Sequence, residues 1–91
     1  MQVYVKDPGA TLDYSIDWDA GYLQSGETLG SSIWTIFPAD MAQESAGDAA
    51  GVASITVSGG IAGQIYQLTN RITTSQGRTD ERSITVRVEQ R

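Results

Sequence analysis

Acidic side chains are the first candidates for chemistry in this chain. Asp13, Asp17 and Asp19 lie on one face of a predicted strand, and Asp48 lies in a predicted loop. Clustered carboxylates can ligate calcium, and a pair of them can hydrolyse a glycoside. Alternate side chains of a strand lie about 7 Å apart, however, and no calcium-loop motif surrounds these acids. We therefore favour solvated side chains on a sheet face or edge over a calcium site or a glycosidase pair.

Other catalytic routes lack their usual residues. The sequence contains no His and no Cys, so the commonest general base, the commonest zinc ligand and the thiolate nucleophile are all missing. Ser and Thr are abundant, but no His can activate their hydroxyls, and no phosphate-binding loop or nucleophile elbow occurs. We expect neither an enzyme nor a bound cofactor or metal.

The charge distribution argues against nucleic acid as a partner. The net charge is −5, whereas phosphate binding needs a basic surface. Residues 1–70 contain one Lys and eight acids, while residues 71–91 contain five Arg and three acids. This asymmetry suits a subunit steered into an assembly of like or unlike neighbours, and it equally suits an Arg-rich hairpin in solvent. Apolar runs are too short to span a membrane. Met1 is followed directly by the strand-like run Gln2-Val3-Tyr4-Val5, which has no signal-peptide pattern. If Met1 is the natural start, we therefore expect the protein to be made and folded in the cytosol.

Short strands organise the chain. Leu12, Tyr14, Ile16 and Trp18 alternate with polar residues, which predicts a half-buried strand with these four in the core. Further strands are predicted over residues 2–6, 31–37, 52–58, 64–74 and 79–90. Residues 20–30 predict a loop that touches the sheet near Leu23 and Leu29. Residues 38–51 predict mostly loop with a weak strand near Met41–Ser45, and a single helical turn there is the competing prediction.

About seven strands with frequent turn signals and no convincing helix predict a sandwich. The fold class is therefore all-β, an immunoglobulin-like sandwich of two antiparallel sheets that forms one domain over residues 1–91.

The register between the strands predicted over residues 64–74 and 79–90 follows from the loop that joins them. A three-residue loop, Ser75-Gln76-Gly77, puts Gly77 where a type I turn with a bulge needs a positive φ. Because inward residues must face inward residues, Tyr66 then faces Val86, and Arg71 faces Glu81 on the solvent side.

Two aromatic residues indicate the core. Tyr66 lies two residues before Leu68 in a segment typical of a tyrosine corner, where the hydroxyl binds backbone near the preceding corner. Trp34 matches the buried Trp of the third strand in such domains. Both residues therefore indicate the fold, and neither indicates a function.

One strand is apolar on both of its faces. If Trp34 is buried, Ile33 and Phe37 point outward, since strand side chains alternate. The predicted protein interface consists of Ile33, Thr35, Phe37, Ile65, Gln67 and Arg87. Apolar patches with a polar edge mark such interfaces. The alternative is that a loop of the same chain, such as residues 22–29, covers the patch.

A series of short motifs runs along nearly the whole chain apart from residues 38–51. These motifs are Lys6-Asp7-Pro8, Leu12-Asp13-Tyr14, Asp17-Trp18, Gly26-Glu27-Thr28, Ile33-Trp34-Thr35, Ser58-Gly59-Gly60, Gly63-Gln64-Ile65-Tyr66, Thr69-Asn70-Arg71-Ile72-Thr73-Thr74 and Gly77-Arg78-Thr79-Asp80. Their order resembles a family of small phage and prophage structural proteins, described as fiber–tail adaptor-like, with an immunoglobulin-like fold.

The resemblance implies a virion protein, made in the host bacterial cytoplasm, that is an adaptor or decoration component of the tail, neck or head. Its implied partners are other virion proteins, with homo-oligomers within the particle as a further option, and neither nucleic acid nor a membrane. The alternative is one immunoglobulin-like module of a bacterial surface or adhesin protein. A sugar-binding module would need exposed aromatic residues, whereas Trp18 and Trp34 are predicted to be core residues.

Overall fold

The chain folds into seven strands in two sheets, as a computed structural model describes for residues 3–90. The strands are β1 (Val3–Lys6), β2 (Thr11–Asp17), β3 (Leu29–Phe37), β4 (Met41–Ala49), β5 (Val52–Gly59), β6 (Ile65–Thr74) and β7 (Thr79–Val88). One sheet has the order β1-β7-β6-β3 and the other has the order β2-β5-β4. The predicted all-β sandwich is confirmed. Gln2, predicted to begin the first strand, lies outside the described residues.

The division of strands between the sheets follows the expected pattern. β2, β4 and β5 share one sheet, and β3, β6 and β7 share the other, as in immunoglobulin-like sandwiches. β1 departs from the antiparallel expectation, because it pairs in parallel with β7. The turn after β1 carries the chain into the other sheet, so β1 and β2 cannot form a hairpin.

The core lies between the inner faces of both sheets. Its buried apolar residues are Ile16, Trp18, Trp34, Met41, Ala53, Ile55, Val57, Tyr66, Leu68, Ile72, Ile84, Val86 and Val88. Trp34 and Tyr66 are core residues, as predicted. Leu12 was expected in the core but is exposed, because it lies near the start of the edge strand β2, whereas Ile16 near the end of that strand is buried.

β4 corrects the prediction for residues 38–51. Met41–Ala49 is a full strand that pairs with β5 along its length, with an irregularity between Gln43 and Ser45. Only Met41 of this strand is buried. Backbone hydrogen bonds to β5, and not side-chain burial, hold β4 in place, so no hydrophobic period marks it in the sequence.

The β6–β7 hairpin has the predicted register. Tyr66 pairs with Val86, and Arg71 pairs with Glu81. The Thr74 amide donates to the Arg78 carbonyl at 2.7 Å and so closes the three-residue loop. Gly77 adopts φ +80° within that loop, the left-handed conformation that the turn needs. No helix within residues 3–90 is long and apolar enough to cross a membrane.

Candidate protein interface

The six residues of the predicted interface lie on the outer face of the four-stranded sheet, the face that points away from the core. All of them are exposed: Ile33, Thr35, Phe37, Ile65, Gln67 and Arg87. Phe37 of β3 lies opposite Gln67 of β6, and Ile65 of β6 lies opposite Arg87 of β7. Three neighbouring strands therefore bring these residues onto one continuous surface.

A row of hydroxyl side chains divides this outer face. Thr35 lies opposite Thr69, whose Oγ1 is 2.9 Å from Oγ of Ser83 on β7. Phe37, which is 76% exposed, lies on one side of this row, and Ile33, which is 60% exposed, lies on the other. The predicted apolar patch is thus divided: Phe37 and Ile65 lie on one side of the polar row, and Ile33, which lies opposite Arg71, is on the other.

The outer face also extends onto β1, a strand from which no interface residue was predicted. Val3 lies opposite Thr85, and Val5 lies opposite Arg87. Val3 is 47% exposed. The pairing of β1 with β7 could not be read from the alternation of either strand, because it joins the two ends of the chain.

The loop between β2 and β3 leaves this face uncovered. Tyr22 and Leu23 of the loop pack against the core. The Thr28 amide donates to Ser75 Oγ at 3.0 Å, and the Ser75 amide donates to the Thr28 carbonyl at 2.8 Å. The loop is thereby tied to the tip of the β6–β7 hairpin, and no loop of residues 3–90 buries the exposed Ile33.

An ion pair that was not predicted from the sequence, Glu27 with Arg78, holds the loop between β2 and β3. Arg78 Nε donates to Glu27 Oε2 at 2.9 Å, its Nη2 donates to Glu27 Oε1, and Nη2 also donates to the Tyr22 carbonyl at 3.1 Å. The Arg78 guanidinium lies 4.5 Å from the centre of the Tyr22 ring. The Arg78 hydrogen bonds, helped by the Gln24 amide, lower the pKa of the Glu27 carboxyl to about 2. Fifty-one residues separate the two partners, so their spacing gives no local signal.

A buried polar network holds β3 in its orientation. Trp18 Nε1 donates to Asn70 Oδ1 at 2.8 Å, and Asn70 Nδ2 donates to Ser32 Oγ at 2.9 Å and to the Ile33 carbonyl at 3.3 Å. The Arg82 guanidinium stacks on the Trp18 ring at 4.5 Å. Buried polar groups need partners, so this network favours one position of β3, in which Ile33 points outward.

Two further contacts hold the opposite end of the sandwich. The Ile61 amide donates to the Tyr66 hydroxyl at 2.8 Å, which confirms the predicted tyrosine corner. The buried Lys6 Nζ donates to the carbonyls of Gly59 at 2.7 Å and Asp7 at 3.0 Å. Burial lowers the pKa of Lys6. Lys6 thereby ties β1 of one sheet to the end of β5 in the other.

The four aspartates singled out in the sequence, Asp13, Asp17, Asp19 and Asp48, are exposed. Asp13 accepts a hydrogen bond from Thr56 Oγ1 at 2.6 Å, and Asp17 Oδ1 accepts one from the Ala20 amide at 3.1 Å. Asp19 and Asp48 line a cleft of about 270 Å³ near the β4–β5 turn. Within residues 3–90, no three His, Cys, Asp or Glu side chains are grouped closely enough to hold a metal ion.

One protein-family model matches residues 6–87, and its description is podophage GP4 fiber-tail adaptor protein gp77. The matched region runs from the last residue of β1 to the penultimate residue of β7 and includes all six predicted interface residues. No curated protein matches the chain.

Proposed function

We propose, because the chain belongs to the podophage GP4 fiber-tail adaptor protein gp77 family, that it joins virion proteins of a phage tail through the outer face of its four-stranded sheet. The family is one of structural tail adaptors, so the proposed role is docking. The exposure of three large apolar side chains on this face is the observation that carries the proposal.

A sheet with one solvated face normally alternates apolar with polar residues. Ile33, Phe37 and Ile65 depart from that pattern, being 60%, 76% and 58% exposed. Complete burial of such a side chain from full exposure contributes about 1.5–3 kcal/mol, and these partly exposed side chains would contribute part of that amount against a partner. A rigid sheet that presents this apolar area is therefore suited to protein binding.

The charges on the outer face suit docking as well. Arg87 Nη2 lies 2.8 Å from Glu89 Oε1, and Arg71 Nη1 lies 3.2 Å from Glu81 Oε2. A partner that covers these Arg residues therefore covers paired charges, which avoids the large penalty for burying a lone ion. Gln67, which lies opposite Phe37, and Arg87, which lies between Ile65 and Val5, supply polar groups beside the apolar side chains.

The test is incorporation of variant chains into phage particles. The double variant Phe37→Asp with Ile65→Asp replaces two exposed apolar side chains of the outer face by carboxylates and leaves every core residue unchanged. A matched control is Ser15→Asp with Ala42→Asp, two exposed positions on the other sheet that do not lie opposite each other. Particles from cells that supply only the variant are purified, and the amount of this chain in them is measured.

We expect the first variant to fold, as judged by circular dichroism, and to be lost from particles, whereas the control is retained. Normal incorporation of the folded Phe37→Asp, Ile65→Asp chain would contradict the proposal. Equal loss of both variants would also contradict it.

A further inference from the structure

We propose that β3 of one copy pairs antiparallel with β3 of a second copy, centred on Thr35, so that two four-stranded sheets become one sheet of eight strands. The inference rests on the proposed function, since it assigns a second copy of this chain to one edge of the proposed docking face.

β3 is the unprotected edge of the sandwich. The edge strands are β1, β2, β3 and β4. An edge strand exposes unpaired backbone groups, which natural proteins protect with charges, prolines, bulges or short length. β1 has only four residues. β3 has nine residues with neither a charge nor a proline, and its one irregularity lies at its start, between Leu29 and Ser31.

Charge selects β3 over the two edges of the other sheet. β2 carries Asp13 and Asp17, and β4 carries Glu44 and Asp48, with no Lys or Arg on either strand. Like charges directly opposite each other destabilise a strand pair. A second copy at β2 or β4 would therefore bring acids against acids, whereas β3 brings no charge to the junction.

In one register, the side chains of β3 form favourable pairs with the side chains of β3 in the second copy. A two-fold axis at Thr35 places Ile33 opposite Phe37 of the second copy on the outer face, and Trp34 opposite Ile36 on the inner face. Aromatic residues opposite β-branched ones, and Thr opposite Thr, are favourable cross-strand pairs. The Thr35 row that separates Ile33 from Phe37 within one chain is thereby bridged by the second copy.

A shifted axis loses this match. Centred on Trp34, the pairing would place Ile33 opposite Thr35, and Ser31 opposite Phe37, so each exposed apolar side chain would face a hydroxyl. In the proposed pairing, the numbers of opposite residues add up to 70. If they added up to an odd number, outer side chains of one copy would lie opposite inner side chains of the other.

The absence of Cys from the chain allows a direct test. Thr35→Cys introduces one thiol at the proposed axis, where opposite Cα atoms lie about 4.5–5.5 Å apart and a disulfide fits. Ser15→Cys is the matched control, since Ser15 is an exposed residue in the middle of the edge strand β2. We expect Thr35→Cys to form a covalent dimer at least about tenfold faster than Ser15→Cys, because pairing of two β3 strands raises the local thiol concentration. Equal rates would overturn the proposal.

Light scattering gives the second measurement. The unmodified chain should reach twice its single-chain mass of 9.7 kDa at high concentration. Ile33→Lys, which protects the edge with a charge, should return the mass to that of one chain, while Thr69→Lys on β6 should not. A chain that stays at the single-chain mass throughout the concentration series would overturn the proposal, as would insensitivity to Ile33→Lys.

Ile65→Asp separates this proposal from the function on which it rests. Ile65 lies on β6, away from the β3 edge, so the variant should still dimerise and yet be depleted from particles. A single-chain mass together with depletion of Ile65→Asp would reject the β3 pairing and leave the docking face standing. Dimerisation together with normal incorporation of Ile65→Asp would reject the docking face. In particles, Thr35→Cys cross-linking to a different virion protein would overturn the assignment of a second copy.

Discussion

Trp18 and Asn70 are joined across the two sheets by a hydrogen bond of 2.8 Å from the indole Nε1 to the amide Oδ1, and both side chains are fully buried. Trp18 follows β2 of one sheet, while Asn70 lies on β6 of the other. The same Asn70 also donates to Ser32 on β3. The contact therefore links the core to β3, the strand that carries Ile33, Thr35 and Phe37 of the proposed docking face.

Asn70→Ala should lower the free energy of unfolding by about 1–3 kcal/mol, because it leaves the buried indole N–H without its acceptor. Gln67→Ala is the matched control on the same strand, since Gln67 is exposed, and its effect should stay within about 0.5 kcal/mol. Urea unfolding followed by fluorescence measures both. An Asn70→Ala effect as small as that of the control would show that the network does not support the fold.

Tyr66 allows the ring and the hydroxyl of the tyrosine corner to be measured separately. Tyr66→Ala should cost about 3–5 kcal/mol, as truncation of a fully buried aromatic residue does. Tyr66→Phe keeps the ring but removes the acceptor of the Ile61 amide, and it should cost about 1 kcal/mol. Trp34→Ala should resemble Tyr66→Ala, since Trp34 is also a core residue. A Trp34→Ala effect below about 0.5 kcal/mol would contradict its assignment to the core.

The Glu27–Arg78 pair predicts a loss of stability in acid. The pKa of Glu27 is about 2 in the folded chain, below its ordinary value of 4.5, so the unfolded chain binds more protons in this range. The stabilisation is complete above about pH 4.5 and is lost as the pH falls toward 2. The urea midpoint should therefore decrease over this interval.

Glu27→Gln tests that assignment, because it removes the titrating group. Its urea midpoint should change less between pH 4.5 and 2 than that of the unmodified chain. Arg78→Gln should weaken the pH dependence in the same interval, because Arg78 is the main cause of the low pKa. A Glu27→Gln profile parallel to that of the unmodified chain would assign the acid sensitivity to other carboxyl groups.

Two glycines with nearly the same φ allow the cost of a left-handed backbone to be measured separately from the cost of a steric clash. Gly51 has φ +80° and Gly26 has φ +81°. A Cβ at Gly51 would lie 2.8 Å from Asp19 Cβ, whereas a Cβ at Gly26 would meet nothing within 4 Å. Gly26→Ala should cost about 1–2 kcal/mol for its left-handed backbone, and Gly51→Ala should cost more. Equal unfolding free energies would mean that Asp19 moves aside freely.

The sequence predicted those parts of the fold in which side-chain burial alternates. β5, β6 and the second half of β7 have buried inner residues at every second position, so these strands and the β6–β7 register followed from the pattern. β4 was largely missed, since its side chains are nearly all exposed and its bonds to β5 depend on a backbone that the pattern does not describe. The Ala50–Gly51 turn, where both residues have positive φ, is what returns β4 to β5.

The exposure of the six candidate interface residues was predictable from the sequence, whereas their arrangement on the face was not. The burial of Trp34 determines the phase of β3 and therefore which of its residues point outward. The division of the patch by Thr35, Thr69 and Ser83 depends on the register between strands that are distant in sequence. The Trp18–Asn70 and Glu27–Arg78 contacts depend on the tertiary fold in the same way.

The most direct measurement of the docking face is hydroxyl-radical labelling of Phe37 in the free chain and in intact particles. Phe37 is 76% exposed in the free chain, and Leu12 on the other sheet, at 38%, is the internal control. If the outer face of the four-stranded sheet binds other virion proteins, labelling of Phe37 should fall strongly in particles while labelling of Leu12 persists. Labelling of Phe37 in particles at the rate of the free chain would contradict the proposed docking face.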